Sequence, residues 1–135
     1  MNTGTINGGV HATDAMNVQI HFATVNGGVD ILGGAGPFGG PFDVTFDTIE
    51  DSRINDGATI EGYNGFWMGF IRNSVNGSVK PNDNVLVDPD ANEYVTNTIH
   101  GSINCTGNSP APQGGDSEGE QNVVTGAKTG QCTAV

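Results

Sequence analysis

Apolar residues in this chain come mostly singly between polar ones, and one alternating phrase keeps returning: TINGGV from Thr5, TVNGGV from Thr24, SVNGSV from Ser74 and TIHGSI from Thr98. Such alternation predicts half-buried strands whose successive side chains face opposite ways. Thr48-Ile49 and Val123-Val124 extend the series. The second position is aliphatic throughout, as Ile6, Val25, Ile49, Val75, Ile99 and Val124. Four residues on, a second aliphatic column runs Val10, Val29, Val79 and Ile103, which Ile54 joins if the third copy holds one extra residue as a bulge. Gly8, Gly27, Gly77, Gly101 and Gly126 lie between the columns, with Asp51 as the exception. Just ahead of the phrase stand Asp47, Asn73, Asn97 and Asn122, where amides can pair from one repeat to the next.

A phrase recurring every twenty-odd residues predicts a solenoid, each coil stacked on the last. Strands about 4.8 Å apart then turn aligned aliphatic positions into interior ladders. Residues 18–22, 42–46 and 84–87 alternate as well and suit other sides of the coil, so a three-sided cross-section fits better than a two-sided one. Residues 33–41 (GGAGPFGGP) read as a loop insertion.

Composition narrows the class. The chain has 135 residues, room for one domain spanning 1–135. Only Leu32 and Leu86 are leucines, whereas β-branched residues and 22 glycines abound, which suits strands and turns rather than helices. The fold reads as all-β. Fifteen acidic residues against 4 basic ones give a formal charge of -11, a field that repels nucleic acid and anionic lipid. No apolar run is long enough for a transmembrane span, and MNTGTINGG has neither part of a signal peptide. Cys105 and Cys132 lack zinc-type spacing; they read as a disulfide tying the tail back, with two buried free thiols as the alternative. Residues 106–122, rich in Pro, Gly and acids, form the loop between them.

These residues resemble a known group. Asn, then Thr or Ser, Ile or Val, any residue, Gly, Ser or Asn, and Ile or Val is similar to the coil repeat of right-handed parallel β-helix proteins. INCTGNSPAPQGG from Ile103 and NVVTGAKTGQC from Asn122 resemble the C-terminal segment of secreted bacterial β-helix proteins of uncharacterised function. The resemblance implies a right-handed parallel β-helix of five to six coils, with Cys105 and Cys132 where that group carries its two cysteines. It also implies an extracellular address, secreted or cell-surface, and it does not imply a reaction.

Candidate chemistry is sparse. Asp88, Asp90, Asn92 and Glu93 place oxygen ligands close together as a calcium loop does, with Asp83 nearby, but Glu93 stands where an EF-hand needs Gly. Tyr63, Phe66 and Trp67 could stack on sugar rings, or anchor the core. The polar column His11, Asp30, Asn55, Lys80 and Asn104 could line a glycan groove or form a solvated edge. Outward ranks of Thr5, Thr24, Thr48, Ser74 and Thr98, and of Asn7, Asn26, Glu50, Asn76 and His100, offer a flat polar array. Asp43, Asp47, Asp51 and Asp56, with Arg53 and Arg72, are the only cluster that suits a polysaccharide hydrolase or lyase. No nucleophile elbow or phosphate loop occurs, and His11, His21 and His100 are scattered. The expectation is a non-enzymatic extracellular structural or adhesive solenoid, self-associating through its ends, needing no cofactor except calcium at the acidic stretch. A glycan-binding module and a small polysaccharide-cleaving enzyme are the alternatives.

Overall fold

The computed structural model describes residues 2–34, 45–115 and 119–135, and among these every regular element is a strand. In chain order they are β1 (Asn2–Ile6), β2 (Val10–Thr13), β3 (Gln19–Val25), β4 (Val29–Leu32) and β5 (Phe46–Glu50). Next come β6 (Arg53–Ile54), β7 (Ala58–Glu61), β8 (Trp67–Ile71), β9 (Ser74–Val75) and β10 (Val79–Asn82). The series closes with β11 (Glu93–Val95), β12 (Thr98–Ile99), β13 (Ile103–Cys105), β14 (Val123–Val124) and β15 (Lys128–Gly130). The strands pair in parallel. One sheet runs β2, β4, β7, β10, β13, β15. In the other, the first half of β3 leads through β5 and β8 to β11, and its second half through β6, β9 and β12 to β14; β1 lies beside β3.

Alternation explains the core. Val25, Ile54, Val75 and Ile99 stack level on level, and Val29, Ala58, Val79 and Ile103 form the neighbouring column. All eight are buried. A third column, Ile20, Ile49, Phe70 and Tyr94, ends in two rings stacked with centroids 5.8 Å apart. Column positions other than Ala58 take β-branched or aromatic residues because these pack best on a pleated surface.

The structure corrects the third copy of the repeat. Arg53-Ile54, not Thr48-Ile49, pairs with Thr24-Val25 on one side and Ser74-Val75 on the other. Thr48-Ile49 instead joins Gln19-Ile20 and Gly69-Phe70 on the other run of the sheet. No bulge is needed: Ile54 and Ala58 keep the four-residue spacing, and the exception in the Gly column is Asp56. Successive levels are therefore separated by 19, 29 and 21 residues at Asn7, Asn26, Asn55 and Asn76. Asp47 is likewise not part of the amide ladder; Ser52 takes that place, accepting from Ala23 N and itself donating its N–H to Asn73 Oδ1.

Two buried amide ladders bind the levels. In the first, Asn73 Nδ2 donates to Asn97 Oδ1 (3.2 Å) and Asn97 Nδ2 to Asn122 Oδ1 (2.8 Å). In the second, Asn84 Nδ2 donates to Asn108 Oδ1 (2.9 Å), and Asn108 Nδ2 to Gln131 Oε1 (3.1 Å). Each ladder follows a corner where the chain turns left-handed. One corner column is Thr3, Phe22, Asp51, Arg72 and Thr96; the other is Asp14, Gly33, Gly62, Asp83, Gly107 and Gly130. Left-handed φ in side chains such as Phe22 or Arg72 costs on the order of 1 kcal/mol or more. The amide that follows offsets it by satisfying buried backbone groups. The glycines of the repeated phrase serve otherwise. Gly27 and Gly77 lie against the neighbouring level, where an added Cβ would come within 2.7 Å of Gly9 N and 2.6 Å of Gly57 N.

Residues 35–41 of the expected loop insertion, and 42–44 of the expected strand at 42–46, lie outside the described residues. Within 106–122, Thr106, Ser109 and Gln113 continue pairing with Asn82, Val85 and Glu93 of the preceding level. The Cys105–Cys132 disulfide is formed across 27 residues. Behind it Cys132 and Val135 are buried, Gln131 Nε2 donates to Asn108 O (2.9 Å) and Lys128 Nζ to Val135 O (2.5 Å). The tail thus closes this end of the core. Reduction is expected to lower stability by about 3 kcal/mol, from loop closure alone. Calorimetry with and without reductant checks this; an unchanged Tm would contradict the closing role. No helix among the described residues is long and apolar enough to cross a membrane.

Candidate functional site

The residues singled out in the sequence fall in different places. Tyr63 is wholly buried, Phe66 and Trp67 are half-buried, and Lys80 is exposed on β10. The Trp67 indole lies over Gly69 of its own strand. Asp88 Oδ1 accepts from Asp90 N (2.9 Å) in a surface turn, whereas Asn92 and Glu93 are buried and Asn92 Nδ2 donates to Pro110 O (2.8 Å). Among the described residues no three His, Cys, Asp or Glu side chains gather as a metal site. Asp43 lies outside the described residues. Asp47 is interior, Asp51 sits at a corner, and Asp56 is exposed on the turn into β7.

Correcting the register rewrites the outer ranks. One becomes Thr5, Thr24, Arg53, Ser74 and Thr98. The next is a continuous surface amide ladder: Asn26 Nδ2 to Asn7 Oδ1 (3.2 Å), Asn55 to Asn26 (2.9 Å) and Asn76 to Asn55 (3.1 Å). In the polar column Thr59, not Asn55, lies between Asp30 and Lys80, and these three edge a recess of about 400 Å³ with Asp56 and Ser78.

A larger groove, about 700 Å³, runs beside the corner column. Its wall carries Phe22, Asp51, Arg72 and Thr96, and its floor Thr24, Arg53, Ser74 and Thr98. Arg72 donates from Nε to Asp51 Oδ1 and from Nη2 to Asp51 Oδ2, both at 2.7 Å, and Nη2 reaches Glu50 Oε2 at 3.4 Å. Hydrogen bonding from that guanidinium holds the Asp51 carboxyl below its usual pKa, and Asp51 in turn raises Arg72. Among the described residues Arg53 is bonded only through Nε, to Asn55 Oδ1 at 2.9 Å.

The interior holds the other unusual group. Asp47 is fully buried; its Oδ1 accepts from Val18 N at 2.6 Å, and among the described residues Oδ2 has no hydrogen-bond partner. Burial pushes its pKa up to about 7, against the pull of the Val18 N–H. Tyr63 is pushed up to about 12 and Tyr94 further still, chiefly by burial, with the Asp47 charge adding to both.

In the sequence Arg53 stands out only as a member of a loose catalytic cluster, and Asp47 as a member of that cluster and of the column ahead of the repeated phrase. Phe22, the exposed aromatic of the groove, was read simply as part of a strand, and no local signal marks its left-handed turn. The spacing of Ile54 and Ala58 was the available clue to the register. Comparison of the chain with family models, curated proteins and solved structures gives no match.

Proposed function

We propose that the chain is a right-handed parallel β-helix of five to six coils, acting outside the cell as a non-catalytic structural or adhesive module that associates through its first coil. The contrast between its two ends carries this reading. At the C-terminal end the tail covers the core and Val135 is buried. At the other end, among the described residues, β1 pairs only with β3 and β2 only with β4, while Ile6, Val10 and Val18 are half-buried and Met16 is 51% exposed. An open edge with apolar residues behind it is a template for strand pairing. The disulfide suits an oxidising compartment, which supports the extracellular assignment. Divergent placement of Asp47, Asp51 and Asp56 supports a non-catalytic role, since hydrolysis needs two carboxyls across one cleft.

Sedimentation velocity tests the association. The wild type is expected to form dimers or larger species as concentration rises, and Val10→Lys to remain monomeric with unchanged circular dichroism. Monomer at every concentration for the wild type would reject it.

A further inference from the structure

We infer that the groove floored by Arg53 is a binding site for an acidic saccharide, whose carboxylate docks on the Arg53 guanidinium. This stands apart from association through the first coil, because the groove opens on the side of the stack.

Three observations converge. First, the chain has 4 basic residues against 15 acidic ones, and two of the four, Arg53 and Arg72, line this one groove. They are not equivalent. Arg72 is spent on Asp51 and Glu50, and its charge offsets one of those two carboxylates. Arg53 keeps both Nη groups without a protein acceptor among the described residues, while Asn55 steadies its Nε from behind. An end-on fork of two N–H donors matches a planar carboxylate.

Second, Arg53 lies in register between Thr24 and Ser74, with Thr98 one level further. Levels recur about every 4.8 Å along the stack, so a hydroxyl stands one step to either side of Arg53 and a third one step beyond Ser74. These hydroxyls can donate to or accept from sugar hydroxyls on either side of the carboxylate.

Third, Phe22 is 61% exposed at the groove's wall and holds φ at 53°. The left-handed φ is shared by the whole corner column; particular to Phe22 is a large apolar ring left in water, where it adds nothing to the core. A ring in that position offers an apolar face to the C–H side of a pyranose.

The partner is a saccharide rather than nucleic acid, because a net charge of -11 repels an extended phosphate backbone, whereas one carboxylate meets Arg53 locally. The cleft volume lies within the usual range for small-ligand sites of roughly 300–1,000 Å³.

Isothermal titration calorimetry with a tetrasaccharide of neutral sugars carrying one uronic acid, and with the methyl ester of that acid, tests the site. The acid is expected to bind the wild type, and esterification or Arg53→Ala each to weaken binding at least tenfold. Phe22→Ala should weaken it too, and Arg53→Lys should retain part of it. Both side chains are exposed, so circular dichroism should show these variants folded. Equal affinity for acid and ester, undiminished binding by Arg53→Ala, or no binding of the acid to the wild type would each overturn the assignment.

Discussion

Replacing Asn97 by alanine is expected to destabilise the fold by about 2–6 kcal/mol, since each buried backbone group left unpaired costs about 1–3 kcal/mol. Asn97 Oδ1 accepts from Asn73 N (2.8 Å), and its Nδ2 donates to Phe70 O (2.7 Å) as well as to Asn122 Oδ1. Alanine strips the partner from a backbone N–H and from a backbone carbonyl of the preceding level. Water cannot replace it readily, because Asn73, Asn97 and Asn122 are all buried. Asn97→Asp should also be destabilising, as a carboxylate has no N–H for Phe70 O. Asn26→Ala makes the control: Asn26 belongs to the exposed ladder, where water takes over the lost bonds, and a change within about 0.5 kcal/mol is expected. Urea denaturation measures all three. Equal losses at Asn97 and Asn26 would mean that the buried ladder has no special role.

Asp47→Asn is expected to stabilise the protein at neutral pH and to leave it nearly unchanged near pH 4. A carboxyl whose folded pKa stands at about 7, against an ordinary value of 3.8, favours the folded state while protonated. Its contribution is fully present below about pH 4 and is lost as pH rises through 7. At 1.36 kcal/mol per pKa unit, the difference between wild type and variant should grow to as much as about 4 kcal/mol across that window. Asparagine keeps an oxygen for the Val18 N–H and carries no charge. The other carboxylates act alike in both proteins, so the difference isolates Asp47. Unfolding curves from pH 4 to 8 decide it, and parallel stabilities would show that Asp47 is not the group lost with rising pH.

The two substitutions bear on different levels of legibility. Asn97 was visible in the sequence: with Asn73 and Asn122 it heads a repeated phrase, and amides there were expected to pair. Asp47 was assigned to the same column and is not in it. In both the assumed and the observed registers Ile49 and Ile54 point inward, so hydrophobic periodicity could not separate them. Hydrogen bonds between levels separate them. Ser52 fits between Ala23 and Asn73, and Asn55 between Asn26 and Asn76. Moving the register carries Asp47 off the ladder and brings Arg53 into line with Thr24 and Ser74. The groove emerges from that shift.

What the sequence determined by itself is local and periodic. Alternation, β-branched content and the scarcity of leucine specify parallel all-β structure, and two lone cysteines form its disulfide. These follow from short-range sterics and from the exclusion of apolar side chains from water, which act wherever the pattern occurs. The tertiary structure decided which rungs align, where left-handed corners fall and which charged groups are buried. Those outcomes depend on residues 19 to 29 positions apart meeting across neighbouring levels, where a hydrogen bond made or missed outweighs any local preference. Phe22 and Asp47 show the consequence: one is left in water and the other is sealed from it, by contacts their neighbours in the chain do not encode.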